Sequence, residues 1–263
     1  MNLRIGTVVL ALMLIAQPGI AQYSRPAAPS ESDSTTADSL RDSTAQALPT
    51  PSVNAPGPKI ELMQQAMRWV RRLLYRGYLD NSTSGTSATY ALTEWTEAAG
   101  PQGPVIAHVT IIYLGAVSWM GKPAEWFQAT YKSFENERPT VDFDLVMAAS
   151  NDKVGEAYRA LWRVDKDELA SALFNDTKGM FDFDREDQPV AGEQTVLKLF
   201  AGEFPVTKYI GSGGDGAKVV AYRSSDVPPL NLVRLGYGNH SLNLRDRGYD
   251  IEPRLQVPLP TSR

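Results

Sequence analysis

The chain has 263 residues, with 26 lysines and arginines against 30 aspartates and glutamates, two histidines and no cysteine. The missing cysteine excludes disulfides, thiolate catalysis and cysteine-type zinc sites. A net charge of −4 leaves no basic footprint for duplex nucleic acid.

The chain opens with Arg4, an apolar run from Ile5 to Ala16, a break at Gln17-Pro18 and small residues at Gly19 and Ala21. That order of basic, apolar and small-residue regions predicts a secretory signal peptide over 1–21, with cleavage after Ala21. The apolar run is about a dozen residues, against the roughly twenty of a spanning helix, so a membrane anchor is the weaker reading. No cysteine follows the cleavage site, which excludes a lipoprotein anchor and predicts a periplasmic or secreted product, soluble or peripherally attached. Residues 22–58 are rich in Ser, Thr, Ala, Pro and Asp and almost free of large apolar side chains. Such a stretch cannot offset its ordering entropy by burial. It reads as a disordered spacer ahead of a folded domain at 59–256 and a tail at 257–263.

From Ile60 to Tyr78, Met63, Ala66, Met67, Val70, Leu73, Leu74 and Tyr78 recur at three- and four-residue spacing. This is the pattern of an amphipathic helix, ended by Gly77. Its polar side carries Arg68, Arg71, Arg72 and Arg76, a basic face that could rest on anionic headgroups, although a helix packed on a sheet has the same pattern. Beyond it, β-branched and aromatic runs separated by turn signals predict strands at 88–97, 104–115, 123–132, 140–148, 155–164, 194–201, 203–210, 217–223, 230–237 and 241–248. Val141, Phe143, Leu145 and Met147 alternate with Asp142 and Asp144, and Tyr158, Ala160, Trp162 and Val164 with Arg159 and Arg163. That alternation predicts antiparallel strands with one wet face. Asp165 to Glu168 has capping-box spacing and predicts a short helix from 166 to about 174. The fold class is therefore mainly β with one N-terminal helix and one short helix.

Several turns carry a resemblance over about residues 105–250. They are Gly192-Glu193-Gln194-Thr195-Val196, Ala201-Gly202-Glu203-Phe204, and Ala221 through Pro229 before the run Leu232-Val233-Arg234-Leu235. In this grammar the chain resembles the LolA/LolB-like exported bacterial domains and related uncharacterised periplasmic families. The resemblance implies a curved antiparallel sheet, an open half-barrel, with helices across its concave side.

No Gly-x-Ser-x-Gly elbow, His-Glu-x-x-His, Walker loop or dinucleotide fingerprint occurs. Asp182, Asp184, Glu186 and Glu193 sit at positions 1, 3, 5 and 12 of a calcium-loop template, but Asp187 stands where the turn needs glycine. Asp142 with Asp144, or Glu135 with Glu137, reads as solvated carboxylates rather than a glycosidase pair. Gly211 to Gly216 reads as a hairpin loop rather than a phosphate cradle, because no helix pattern follows it. The expectation is a non-catalytic envelope protein without cofactor or metal. Its ligand would be apolar, an acyl chain, lipoprotein or hydrophobic peptide held on a concave face by Phe143, Leu145, Met147, Tyr158 and Trp162. A filled core under the helix would use the same residues, and an open or a filled cavity separates the two. The alternative is a structural or assembly subunit of an envelope complex that uses the Arg68, Arg71, Arg72 and Arg76 helix as an interface. A secreted hydrolase ranks third.

Overall fold

The computed structural model describes residues 57–79, 82–94, 103–134, 139–150, 153–171, 190–213 and 215–257. The signal peptide, nearly all of the spacer, the acidic positions 182–186 and the tail after Val257 lie outside the described residues.

Helix α1 runs Gly57–Arg76 and is followed by β1 (Thr86–Glu94), β2 (Val105–Trp119), β3 (Lys122–Ser133), β4 (Thr140–Ser150), β5 (Lys153–Val164) and the short β6 (Ala170–Ser171). The second half is β7 (Val190–Leu199), β8 (Gly202–Ser212), β9 (Lys218–Arg223), β10 (Leu232–Tyr237) and β11 (His240–Gly248). All are antiparallel in one eleven-stranded sheet that does not close into a barrel, in the order β6-β5-β4-β3-β2-β1-β11-β10-β9-β8-β7. Each half is a meander, and the halves meet where β1 pairs with β11.

The stripe Met63, Ala66, Met67, Val70, Leu73 and Leu74 is at most 4% exposed. It lies on one sheet face in a single cluster with Tyr90, Ile111, Phe127, Phe143, Leu145 and Leu235. The helix stops because its end is pressed against the turn before β10. Gly77 N–H donates to Leu73 O and Tyr78 N–H to Leu230 O, and a Cβ on Gly77 would come within 2.7 Å of Leu230 Cβ. Arg76, only 4% exposed, donates to Ser212 O, while Arg223 donates to Arg76 O. The Arg223 guanidinium is stacked 3.9 Å from the Tyr78 ring centre.

Three sequence expectations are corrected. Residues 166–171 form a turn and the short strand β6, not a helix. Asp165 adopts a positive φ of 52° and accepts from Thr140 N–H, and Ala170 and Ser171 pair with Trp162 and Leu161. Second, the face carrying Asp142 and Asp144 is not wet. Asp144 is fully buried, accepting from Trp126 Nε1 at 2.7 Å and Gln128 Nε2 at 3.2 Å and pairing with Arg159. Asp142 pairs with Arg163 and accepts from Thr130. Residues 251–257 cover this face: Gln128 Oε1 accepts from Arg254 and Leu255 N–H, and Gln128 Nε2 donates to Leu255 O. Third, Tyr158 does not share a face with Trp162. The pairing slips between Val146↔Arg159 and Met147↔Ala157, and this bulge turns the Tyr158 ring to a second cluster with Trp126, Val146 and Val257.

Leu145→Ala is expected to cost about 2–5 kcal/mol by urea denaturation, whereas Val196→Ala, at an exposed position, should stay within about 0.5 kcal/mol. Arg159→Met, which leaves Asp144 buried and unpaired, is expected to cost about 3–5 kcal/mol. Adding Asp144→Asn to it should recover part of that loss in the same assay, because the uncompensated charge is gone.

Candidate functional site

The apolar row predicted as a ligand face is occupied by the protein itself. Phe143 and Leu145 are fully buried and Met147 is 1% exposed, all in the cluster that contains α1. Trp162 is partly buried at the margin of that cluster. Tyr158 is on the other face. The four arginines of α1 also part company: Arg68 is exposed, Arg71 and Arg72 are half-buried, and Arg76 is buried.

Arg68 and Arg72 instead line a cleft of about 330 Å³ where α1 passes the β10–β11 turn, together with Trp69, Asp215, Tyr237 and His240. Arg72 and Trp69 reach it from α1, Tyr237 from the end of β10, His240 from the start of β11, and Asp215 from the loop after β8. The Arg72 guanidinium carbon lies 3.6 Å from the Tyr237 ring centre and 4.6 Å from that of Trp69, so two aromatic rings hold it. Trp69 packs against His240 with ring centres 5.0 Å apart.

Tyr237 Oη donates to Asp215 Oδ1 at 2.7 Å, and Ala217 N–H donates to the same oxygen at 3.0 Å. Gly213 makes this reach feasible, since a Cβ there would sit 2.0 Å from Tyr237 Oη. The glycine-rich loop thus works as a close-approach site for a phenol. Asp215 Oδ2 stands 3.8 Å from Arg72, beyond hydrogen-bond distance.

Burial pulls the Arg72 guanidinium below its ordinary value, opposed by Tyr237 and Asp215. Burial also raises the Tyr237 phenol, and its hydrogen bond to Asp215 adds to the rise. At Asp215 burial works upward, but the Tyr237 and Ala217 hydrogen bonds and Arg72 outweigh it and hold the carboxyl below its usual value. His240 is lowered mainly by burial; Glu94 pulls it up and Arg72 pushes it further down. The other histidine, His108, is lowered by burial, then by Arg245 and Lys132, and packs edge-on against Phe134 at 4.6 Å. It is remote in the ladder from the cleft, paired with Ala91 and Lys132.

The cleft therefore offers two guanidinium groups, a near-neutral imidazole and a phenol, against one carboxylate already engaged. Guanidinium groups so placed are able to offer charge-assisted hydrogen bonds to a negatively charged group. Among the described residues no group of three His, Asp or Glu side chains could hold a metal ion. Arg68 and Arg72 were visible in the sequence as basic helix positions. Trp69, Asp215, Tyr237 and His240 were not, because their signal is a meeting of three distant segments.

No family model matches the chain, and no curated protein matches it. Among solved structures it is similar to a candidate lipoprotein from Parabacteroides distasonis, at 9% identity over 65% of this chain and 99% of that one, with a TM-score of 0.32. It is also similar to a candidate exported protein with a YmcC-like fold from Bacteroides fragilis, at 8% identity over 65% of this chain and 99% of that one, with a TM-score of 0.33. Likeness at this level carries no function across, and the resemblance to the LolA/LolB carriers gains no support from it.

A lowered histidine favours the neutral imidazole in the fold. The stability it contributes is full above the unfolded value of about 6.5 and is lost as pH falls through the lower folded value. NMR titration is expected to place both histidines below about 6.5. Arg72→Gln should move the His240 midpoint up and Glu94→Gln should move it down; no movement in either variant would refute these neighbours as its electrostatic surroundings.

Proposed function

We propose that the protein is an exported, non-catalytic binding protein of the bacterial envelope whose ligand presents an anionic group to the Arg72 cleft. The observation that carries this reading is Arg72 itself. Its guanidinium is held between two rings and partly desolvated, with its carboxylate partner Asp215 engaged by Tyr237 and the backbone. Holding a cation in place before the ligand arrives removes part of the ordering cost of binding. Export is supported by the signal-peptide pattern of residues 1–21. The apolar-ligand reading is weaker, because Phe143, Leu145 and Met147 leave an acyl chain no seat beneath α1. Contact with a lipid headgroup layer is weakened too, since Arg76 is buried and Arg72 is stacked inward.

A second reading, an assembly subunit, draws on the other end of the sheet. β7 is the terminal strand, with Val196 57% exposed and Phe200 beside it 91% exposed. A strand edge flanked by exposed apolar residues suits pairing with another chain.

Inorganic phosphate titrated into the mature chain is expected to shift the Trp69 indole and His240 NMR signals saturably. Arg72→Gln should weaken binding about tenfold or more, equivalent to about 1.4 kcal/mol, and Arg68→Gln, at an exposed position, should weaken it less. Phe200→Ser should leave it unchanged. Absence of saturable shifts in the folded wild type, or indifference to Arg72→Gln, would overturn the reading.

A further inference from the structure

The side of the second meander turned away from α1 carries a basic cleft of its own. Along β9, Val219 and Ala221 belong to the core, so Lys218 and Tyr222 point to the opposite side of the sheet. Tyr222 is paired with Lys208 of β8 on one side and with Arg234 of β10 on the other, and cross-strand partners share a face. Lys208, Lys218, Tyr222, Arg234 and Ser241 together line a cleft of about 290 Å³ whose lining holds no carboxylate. Gly238 and His240, at the β10–β11 turn, border this cleft and the Arg72 cleft alike. The cations of the two clefts are nevertheless different residues on different faces.

Three cations gather here without a counter-charge. None of Lys208, Lys218 and Arg234 has an ion pair among the described residues. Like charges held close repel, and an anion entering the cleft removes that cost. Arg234 is also set in place. Its Nε donates to Ser241 Oγ at 3.2 Å, and Ser241 Oγ donates in turn to Asn243 Oδ1 at 3.3 Å. Ser241 is only 4% exposed, so a buried partner fixes the guanidinium while both of its terminal nitrogens are left for a ligand. Burial pulls Arg234 below its ordinary value, opposed by Tyr222. A partly desolvated cation gains more from an anion than a solvated one does.

The spacing of the cations describes the ligand. Lys208 and Arg234 flank Tyr222 at the usual strand separation, their backbones about 10 Å apart, close enough for the long stems to lean over the ring from both sides. Lys218 is four residues from Tyr222, about 13 Å along β9. A ligand that engages all three therefore carries at least two acid groups in line along the strand. Each group meets donors arriving from different strands, and a phosphoryl group offers three acceptor oxygens where a carboxylate offers two. We propose that this cleft binds a diphosphate group, with one phosphoryl between Lys208 and Arg234 above Tyr222 and the other turned toward Lys218. The site uses neither Arg68 nor Arg72, so it stands or falls apart from the anion-binding reading of the Arg72 cleft.

The test titrates pyrophosphate, phosphate, citrate and uridine diphosphate into the mature chain in metal-free buffer, by calorimetry and NMR. The Tyr222 ring signals report this cleft and the Trp69 indole the Arg72 cleft. Pyrophosphate is expected to shift the Tyr222 signals saturably and to bind roughly tenfold tighter than phosphate, or better. Lys218→Gln, at an exposed position, should bring its affinity close to that of phosphate. Lys208→Gln combined with Arg234→Gln should abolish the Tyr222 shifts, and Arg72→Gln should leave them unchanged. Citrate, with three carboxylates, should bind roughly tenfold more weakly than pyrophosphate; equal binding would overturn the assignment to phosphoryl groups. Uridine diphosphate separates two sources of the same chemistry: affinity within about threefold of pyrophosphate supports an ester as the ligand, and exclusion supports the free anion. Three results would each overturn the site while leaving the Trp69 response to stand on its own. They are silent Tyr222 signals in the folded wild type, wild-type pyrophosphate binding by Lys218→Gln, and loss of the Tyr222 shifts in Arg72→Gln.

Discussion

The pairing of β1 with β11 is the constraint on which the remaining structure depends. It joins Ser87 through Glu94 to Gly248 through His240 and so fuses two local meanders into one sheet. Every other ladder links strands adjacent in sequence, whose loop-closure cost is small, whereas this one closes almost the whole folded chain. Its return is burial: Tyr90, Leu92, Leu242 and Leu244 all sit in the common core, and Tyr90 Oη donates to Leu232 O one strand further on. The ladder also sets the site, because its last pair, Glu94 with His240, places the imidazole where α1 delivers Trp69 and Arg72.

The two faces of the sheet solve burial differently. One is closed by an apolar helix, and its energetics are those of close packing. The other carries charges, and around Asp144 and Gln128 it becomes interior because residues 251–257 lie over it. Asp144 is tolerable there because Trp126, Gln128 and Arg159 together meet its oxygens, which is the condition for burying a carboxylate at all. Arg159 Nε remains without a hydrogen-bond partner. The network is thus better understood as fixing register and the path of residues 251–257 than as a large source of stability.

Strand positions were largely legible from sequence because alternation and turn chemistry are local. The ten predicted strands correspond to β1–β5 and β7–β11, usually within a few residues, and β6 alone had no counterpart. What failed was long-range. Asp142, Asp144, Arg159 and Arg163 look like a wet face until Leu255, more than ninety residues away from each, is placed over them. Tyr158 looks like a neighbour of Trp162 until a one-residue bulge reverses it. The capping-box pattern at Asp165 lost to a hairpin turn, since its carboxylate was claimed by Thr140 N–H. The Arg72 cleft was half visible: a run of arginines marked the helix, but nothing local told that Tyr237 would hold one of them.

The covering segment at 251–257 also bears on the order in which the protein can be completed. Gln128 makes three of its hydrogen bonds with Arg254 and Leu255, accepting two and donating one, and β1 waits for β11 to emerge. A chain threaded from its N-terminus would hold β1 to β5 with one sheet edge unpaired and a charged face still hydrated until nearly the last residues arrive. The first meander is thus completed only when β11 has paired with β1 and residues 251–257 have closed over Asp142 and Asp144.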